Sequence, residues 1–329
     1  MSKISLSVPS FNGNELKYVT DCIETEWVSS AGNYVSTFEE NIAKFTGANY
    51  AIACINGTSA LQISLRLAGV SHQDEVIVPT LSFIAPVNAI AYNNAKPIFI
   101  DTDNFFNLDC DKVINFIKKN TFDKNGYTYN KLTKNRISAI IPVHVWGNAV
   151  YLDELIDLCL EKNIFVVEDA SESLGTFYNS GKYDGMHTGT VGEIGCLSFN
   201  GNKIITAGGG GMILTNDKRI AEKANYLTRQ AKDDPKLYIH NNIGYNFRLT
   251  NVQAAIGLAQ LEQIDTILSK KKKIFKRYQK KISIIPGLDI AKVPKYSSNN
   301  HWLNILKINN NEYGMEYLDI MSNLAKNNI

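Results

Sequence analysis

Apolar runs of five or six residues recur along the chain and alternate with amphipathic stretches. Several runs are continuously apolar, which is typical of strands buried on both faces of a sheet. The runs lie at residues 50–55, 75–79, 97–101, 139–144, 164–169, 194–199 and 211–216. Helical periodicity fills four of the gaps, at 59–67, 82–92, 109–119 and 152–161. This alternation predicts an α/β fold with a mostly parallel sheet and helices on both faces.

The remaining segments depart from this alternation. Residues 121–136 are polar and predict a surface insertion such as a hairpin. A long helix is predicted over 250–281, with a bend or break inside it, and Pro286-Gly287 ends it. We therefore expect a large domain over 1–282 and a smaller α+β domain over 283–329.

Composition narrows the function classes. The 34 basic and 32 acidic residues give a net charge of +2, which offers no electrostatic case for nucleic acid or an anionic membrane. The lysine run at 270–273 continues the predicted helix and indicates a solvated face. Five scattered cysteines lack metal-site spacing and predict reduced thiols, and no metal is expected. With no apolar segment of membrane-spanning length, the expected location is the cytoplasm.

Ligands of such sheets bind beyond the carboxyl ends of the strands, and several polar residues fall there. Asn56-Gly57-Thr58-Ser59 joins a predicted strand to a predicted helix. Backbone N–H groups at a helix start, together with two hydroxyls, form an anion site, and Gly57 allows close approach. The alternative is that Thr58 or Ser59 simply caps the helix.

A carboxylate ends another predicted strand. Asp169 follows an apolar run, and burying its charge without a partner would be costly. A protonated pyridine nitrogen would supply that partner and would make the ring an electron sink. A salt bridge or a helix cap is the alternative. Glu172 lies one helical turn further on and could point the same way.

Lys203 lies between a predicted strand end and a glycine-rich turn, Gly208–Gly211. This position suits a lysine that forms a Schiff base with an aldehyde, whereas most lysines are surface charges. Ser198, five residues earlier, could reach the phosphate of a cofactor bound there. The glycines do not form a dinucleotide-binding or P-loop motif.

Two further side chains are candidates for the same site. Phe83 begins a predicted helix after a strand, and its ring could stack on a flat cofactor or belong to the core. His144 could be a polar group of the site or a hydrogen-bonded core histidine.

Seven motifs occur together in a fixed order: NGTSAL, PTLSF, PVHVWG, EDASESLG, SFNGNK, AGGGG and GYNFRLTNVQAA. In this order they resemble the DegT/StrS group of sugar-nucleotide aminotransferases, which depend on pyridoxal phosphate. The resemblance covers nearly the whole chain. It implies fold type I, with a seven-stranded central sheet, and a homodimer whose active sites are shared between subunits.

The resemblance also implies residue roles. Lys203 matches the lysine that carries the cofactor, and Asp169 matches the aspartate at the pyridine nitrogen. The other positions implied at the cofactor are Gly57, Thr58, Ser59, Phe83, Glu172, Ser198 and, from the partner subunit, Asn246. We expect Ser30, His144 and His240 to contact the substrate.

The expected reaction is transfer of an amino group, with L-glutamate as donor, to C4 of a 4-keto-6-deoxy sugar nucleotide for bacterial surface glycans. The segments 27–32 and 230–235, with SFNGNK and the four glycines, resemble enzymes that aminate UDP-4-keto-6-deoxy-N-acetylglucosamine in legionaminic acid or bacillosamine-type pathways. Many family members have GEGG where Gly208–Gly211 stand here. Family members usually continue beyond Ile329, so the small domain is expected to be incomplete.

Three alternatives stay open at this point. One is a protein that binds pyridoxal phosphate or a sugar nucleotide without catalysis. Another is a 3-aminotransferase, and the third is a sugar dehydratase of the same fold. In the dehydratases a histidine replaces the lysine, so Lys203 argues against that activity.

Overall fold

The computed structural model describes residues 3–234 and 236–329. Pro235, the last residue of the 230–235 segment, lies outside the described residues. The helices within that part are α1 Glu15–Glu24, α2 Asn33–Thr46, α3 Gly57–Leu67, α4 Ile84–Tyr92, α5 Cys110–Asn120, α6 Asp153–Glu161, α7 Lys218–Thr228, α8 Asn251–Leu261, α9 Ile264–Ile282, α10 Asn310–Tyr313 and α11 Tyr317–Lys326.

The strands alternate with these helices along most of the chain. They are β1 Tyr50–Cys54, β2 Glu75–Pro79, β3 Lys96–Ile100, β4 Thr121–Lys124, β5 Tyr127–Asn130, β6 Ile137–Ile140, β7 Phe165–Asp169, β8 Phe177–Tyr178, β9 Ile194–Ser198, β10 Gly211–Thr215, β11 Leu288–Ile290, β12 Ser297–Ser298 and β13 Leu306–Ile308.

Seven strands form the central sheet, in the order β1-β10-β9-β7-β6-β2-β3. Neighbours from β9 to β3 are parallel, whereas β10 runs antiparallel to both β9 and β1. Alternate residues of β10 pack on opposite faces of the sheet. Ile213 lies in the apolar core that includes α3, whereas Met212 and Leu214 lie in the apolar core that includes α8. The predicted mostly parallel sheet, with helices on both faces and fold type I, is confirmed.

One predicted strand has the wrong limits. The run at 139–144 was expected to be a strand that ends at His144, but β6 covers Ile137–Ile140. Pro142 has no N–H to donate to the ladder, although its carbonyl accepts from Asp169 N at 2.8 Å. After it, His144 precedes a short 3₁₀ turn, Val145–Gly147.

Two irregular features follow the prediction. β4 and β5 pair as an antiparallel hairpin in the polar segment, and Asn130 Nδ2 at its end donates to Glu75 Oε2 at 2.9 Å. The long helix divides into α8 and α9 at Glu262 and Gln263.

The helices α1 and α2 were not predicted from the sequence. Both pack against α8, and the Phe38 ring of α2 lies close to Gly257 of α8.

The chain after α9 returns to the sheet-bearing body. β11 pairs with β13, whereas β12 pairs with β8, so Ser297 lies opposite Tyr178. Trp302 then enters the core cluster that contains Phe38 and Phe199. Among residues 3–234 and 236–329, no helix has the length and apolar character needed to cross a membrane.

Candidate active site

A cavity of about 300 Å³ opens beyond the carboxyl ends of β7 and β9, beside the N-termini of α3 and α4. Most of the residues predicted at the cofactor line it. The lining residues are Asn56, Gly57, Thr58, Leu61, Phe83, Ile84, Ala85, Val143, Asp169, Ser171, Glu172, Ser198, Asn200, Asn202 and Lys203.

The N-terminus of α3 forms one wall of the cavity. Asn56 caps the helix, because its Oδ1 accepts from Ser59 N at 2.8 Å, so neither Thr58 nor Ser59 is the cap. A Cβ on Gly57 would lie 3.0 Å from Ser198 Cβ, so glycine permits the close approach of this turn to the end of β9. Thr58 lines the cavity. Ser59 is buried and does not line the described cavity, which leaves its predicted contact without structural support.

Asp169 ends β7 with its carboxylate in the cavity wall. It is 5% exposed, and its Oδ1 accepts from Ser171 N at 3.1 Å. Within the described residues, no group hydrogen-bonds to Oδ2. This second oxygen is therefore open to a positively charged or hydrogen-bonding partner in the cavity, which would stabilise the largely buried carboxylate.

The preceding carboxylate, Glu168, belongs to the core. His144 Nε2 lies 2.8 Å from Glu168 Oε2, and the N–H groups of Gly189, Val191 and Gly192 also donate to this carboxylate. Burial opposes ionisation of Glu168, but the hydrogen bonds from His144 and these N–H groups hold its pKa below its ordinary value.

The substrate role predicted for His144 must be corrected. Its ring is fully buried, and Val150 N donates to Nδ1 at 3.1 Å, which places the ring proton on Nε2, facing Glu168. Because both ring nitrogens are used inside the core, none is left for a substrate. The alternative, a hydrogen-bonded core histidine, describes His144.

Lys203 projects into the cavity from the turn after β9. Its Nζ lies 3.7 Å from Glu172 Oε1, 5.1 Å from the centroid of the Phe83 ring and 4.3 Å from the centroid of the Trp302 ring. Its side chain is only 10% exposed. Burial lowers the pKa of Lys203, although Glu172 and Asp169 oppose the shift, so the neutral amine is more accessible than in a surface lysine.

Glu172 is the acidic side chain beside Lys203. Burial raises the pKa of Glu172 to about 7, although the charge of Lys203 opposes the shift. Its Oε2 accepts from Trp146 N at 2.6 Å, and Trp146 has a φ of 56°, a strained backbone for a bulky residue. The carboxylate is therefore held beside Lys203 and can exchange a proton with it near neutral pH.

Three predicted residues lie elsewhere in the described chain. Asn246 is exposed, opposite Arg229 in an isolated bridge, and its predicted contact requires a second subunit. His240 is exposed, with Nδ1 2.9 Å from Gln230 O. Ser30 accepts from Arg248 through its carbonyl. None of these three residues is among the described residues that line the cavity, so their roles stay predictions.

Sequence reasoning missed four contributors: Ser171, Asn200, Asn202 and Trp302. The first three adjoin predicted residues on the same turns, so proximity to Asp169 and Lys203 was an available signal. Trp302 is about a hundred residues away from Lys203 along the chain, and no local pattern connects the two.

The cavity fits pyridoxal phosphate. A helix N-terminus with the hydroxyls of Thr58 and Ser198 suits a phosphate, and Gly57 leaves room for it. The unused oxygen of Asp169 suits the pyridine N–H, and Lys203 suits the aldehyde. Phe83, 57% exposed at the start of α4, presents a ring at the cavity wall.

Comparison with known proteins agrees with this chemistry. Residues 9–329 match the DegT/DnrJ/EryC1/StrS aminotransferase family. GDP-perosamine synthase of Escherichia coli O157:H7 is 39% identical over 92% of this chain and 77% of its own length. The UDP-2-acetamido-2-deoxy-3-oxo-D-glucuronate aminotransferase of Pseudomonas aeruginosa is 31% identical over 81% of this chain and 69% of its own. The structure of DesI with its TDP-sugar product matches with a TM-score of 0.82 and 25% identity, over 99% of this chain and 78% of that one.

Proposed function

This chain belongs to the DegT/DnrJ/EryC1/StrS aminotransferase family, and we propose that it aminates C4 of a 4-keto-6-deoxy sugar nucleotide with L-glutamate as donor. Its cofactor is pyridoxal phosphate, and it is an aminotransferase. The observation that carries the proposal is the buried amine of Lys203 in one cavity with Asp169, Glu172 and the N-terminus of α3.

When bound, pyridoxal phosphate supplies an aldehyde that takes up amino groups and a pyridinium ring that stabilises negative charge on a neighbouring carbon. Thr58, Ser198 and the N–H groups at the start of α3 hold its phosphate. Asp169 keeps the pyridine nitrogen protonated, because a buried carboxylate with a free oxygen stabilises the adjacent positive charge.

Lys203 is the group that moves protons. Burial lowers the pKa of Lys203, which favours the neutral amine that the reaction needs, and Glu172, with a pKa of about 7, lies 3.7 Å away as a partner for proton exchange. With the cofactor and an amino donor bound, Lys203 Nζ would be the base that takes the proton from the α-carbon of that donor. The same residues return a proton in the second half of the reaction, when the keto sugar receives the amino group.

The proposed sugar is supported by one of the relatives and by two sequence segments. GDP-perosamine synthase, a 4-aminotransferase, is among the relatives. The segments 27–32 and 230–235 favour a UDP-linked, N-acetylated 4-keto sugar. The Pseudomonas relative acts on a 3-oxo sugar, which makes 3-amination the second candidate.

We also propose that two copies of the chain share their active sites. Asn246 is exposed and unused in its own cavity. A second copy that brings its Asn246 to the phosphate would complete the group of phosphate contacts at Thr58 and Ser198.

A substrate panel tests the sugar assignment. The holoenzyme is incubated with L-glutamate and with UDP- and GDP-linked 4-keto-6-deoxy sugars or a UDP-linked 3-keto sugar, and the position of the new amine is read by NMR. We expect amination at C4, fastest with the UDP-linked N-acetylated sugar. Amination of the 3-keto sugar alone would replace the proposal with the second candidate.

A further inference from the structure

Trp302 covers the catalytic lysine from a distant part of the sequence. The centroid of its ring lies 4.3 Å from Lys203 Nζ, closer than the 5.1 Å that separates this atom from the Phe83 centroid. Trp302 is 1% exposed. At this distance the face of an indole attracts an ammonium group, and the attraction is strongest where water is excluded.

Trp302 is held in place both through its ring and through its backbone. Its Nε1 donates to Asn202 O at 2.6 Å, next to Lys203 itself. Its peptide N–H donates to Asn300 Oδ1 at 2.9 Å, and Asn300 Nδ2 donates to the carbonyls of Glu172 and Leu174 at 2.8 and 2.9 Å. The indole is therefore tied to the turn that carries Lys203 and to the backbone of its acidic partner.

The charged groups around the amine of Lys203 do not attract it in every protonation state. The two carboxylates that face Lys203, Glu172 and Asp169, lie at the end of β7 and in the turn after it. On the other side of the indole, Lys271 Nζ donates to Trp302 O at 3.1 Å, and this group is a cation. Glu172 is protonated for part of the time near neutral pH. In that state its attraction for the ammonium is lost, but the attraction of the indole face remains.

We propose that Trp302 is a positioning residue that holds the free side chain of Lys203 beside the cavity whenever the lysine is not bonded to the cofactor. A lysine side chain has four rotatable bonds, and an unheld one would spend most of its time in unproductive rotamers. The inference rests on the assignment of pyridoxal phosphate to this cavity and is independent of the identity of the sugar.

The test separates holding Lys203 from shaping the cavity. In this chain stripped of cofactor, Lys203 attacks added pyridoxal phosphate: its nitrogen forms a C=N bond with the aldehyde carbon, and the carbonyl oxygen leaves as water. The appearance of visible absorbance gives the rate. Pyridoxamine phosphate has no aldehyde, so its dissociation constant reports the cavity alone.

Trp302→Leu should slow bond formation about tenfold, because the lysine side chain would no longer be held and would spend more of its time in unproductive rotamers. Its affinity for pyridoxamine phosphate should stay within about twofold of the wild type. Trp302→Phe keeps an aromatic face but loses the bond to Asn202 O, and it should recover most of the rate. Phe45→Leu removes a ring packed against the same core without touching Lys203, and both quantities should stay unchanged.

Two results would overturn the proposal. Bond formation at the wild-type rate in Trp302→Leu would mean that the ring does not hold the lysine. Equal losses of rate and of pyridoxamine phosphate affinity would mean that Trp302 only shapes the cavity. Should Trp302→Leu fail to fold by circular dichroism, Trp302→Met, with a flexible apolar side chain, replaces it with the same expectations.

Discussion

The cavity around Lys203 and the surface that carries Asn246 differ in how their polar groups find partners. In the cavity, Glu172 and Asp169 face the buried amine of Lys203 within one chain. At the surface, Asn246 and His240 are exposed. The contacts of the first region form within one chain, whereas the roles predicted for Asn246 and His240 would require a second molecule.

This difference decides which roles one chain can support. Burial perturbs the ionisation of Lys203 and Glu172, and such perturbed groups cluster at functional sites. An exposed asparagine gives no comparable signal, because its hydrogen bonds can be made to water. The following experiments test whether the residues of the cavity carry out catalysis and whether Asn246 of a second subunit contributes to the site.

Loss of the lysine should have the largest effect. Lys203→Ala removes the amine that bonds to the cofactor and moves the proton, so turnover and visible absorbance should both fall to background. Lys272→Ala, on the exposed side of α9, is the matched control and should leave both unchanged. A coloured, active Lys203→Ala enzyme would show that the cavity is not the chemical centre.

The next largest effect should come from the carboxylate at the end of β7. Asp169→Asn keeps the shape but loses the charge that maintains a protonated ring nitrogen. The glutamate half-reaction, followed by stopped-flow absorbance, should slow by about a hundredfold or more. Asp157→Asn, at an exposed ion pair with Lys182, serves as the control. A near-normal rate would remove Asp169 from its role.

The shared site is tested by mixing two damaged chains. Asn246→Ala should weaken cofactor affinity about tenfold, the usual effect of losing a hydrogen bond to a charged group. If subunits share sites, each mixed dimer of Lys203→Ala and Asn246→Ala chains holds one intact site. Activity in limiting cofactor should then rise to about a quarter of the wild-type value after random exchange of subunits. No rise above the separate variants would confine each site to one chain.

A smaller effect is expected from the acid beside Lys203. Burial raises the pKa of Glu172 from 4.5 to about 7, so the folded cofactor-free protein holds this proton more tightly than the unfolded chain does. The contribution of Glu172 to the free energy of unfolding is therefore full below about pH 4.5 and declines as the pH rises to about 7. Relative to Glu172→Gln, the wild type should lose stability across this interval in urea titrations. A constant difference would contradict the raised pKa.

The sequence predicted the sheet and the cavity because both depend on local patterns. Continuous apolar runs marked β2 and β7, and polar residues at strand ends or in the turns that follow them marked Thr58, Asp169 and Lys203. The substrate contact predicted for His144 was wrong, because its pairing with Glu168 depends on how the chain turns inward after β6 ends at Ile140. Trp302 was out of reach, since its contact with Lys203 exists only after the chain beyond α9 folds back onto the sheet.

The most direct measurement is the visible spectrum of the purified protein after reconstitution with pyridoxal phosphate. L-Glutamate should bleach the yellow form and release one equivalent of 2-oxoglutarate per site. A 4-keto-6-deoxy sugar nucleotide, added after glutamate is removed, should then restore the colour. A protein that takes up no cofactor, or whose colour survives glutamate and every other amino donor, would contradict a transaminase built around Lys203.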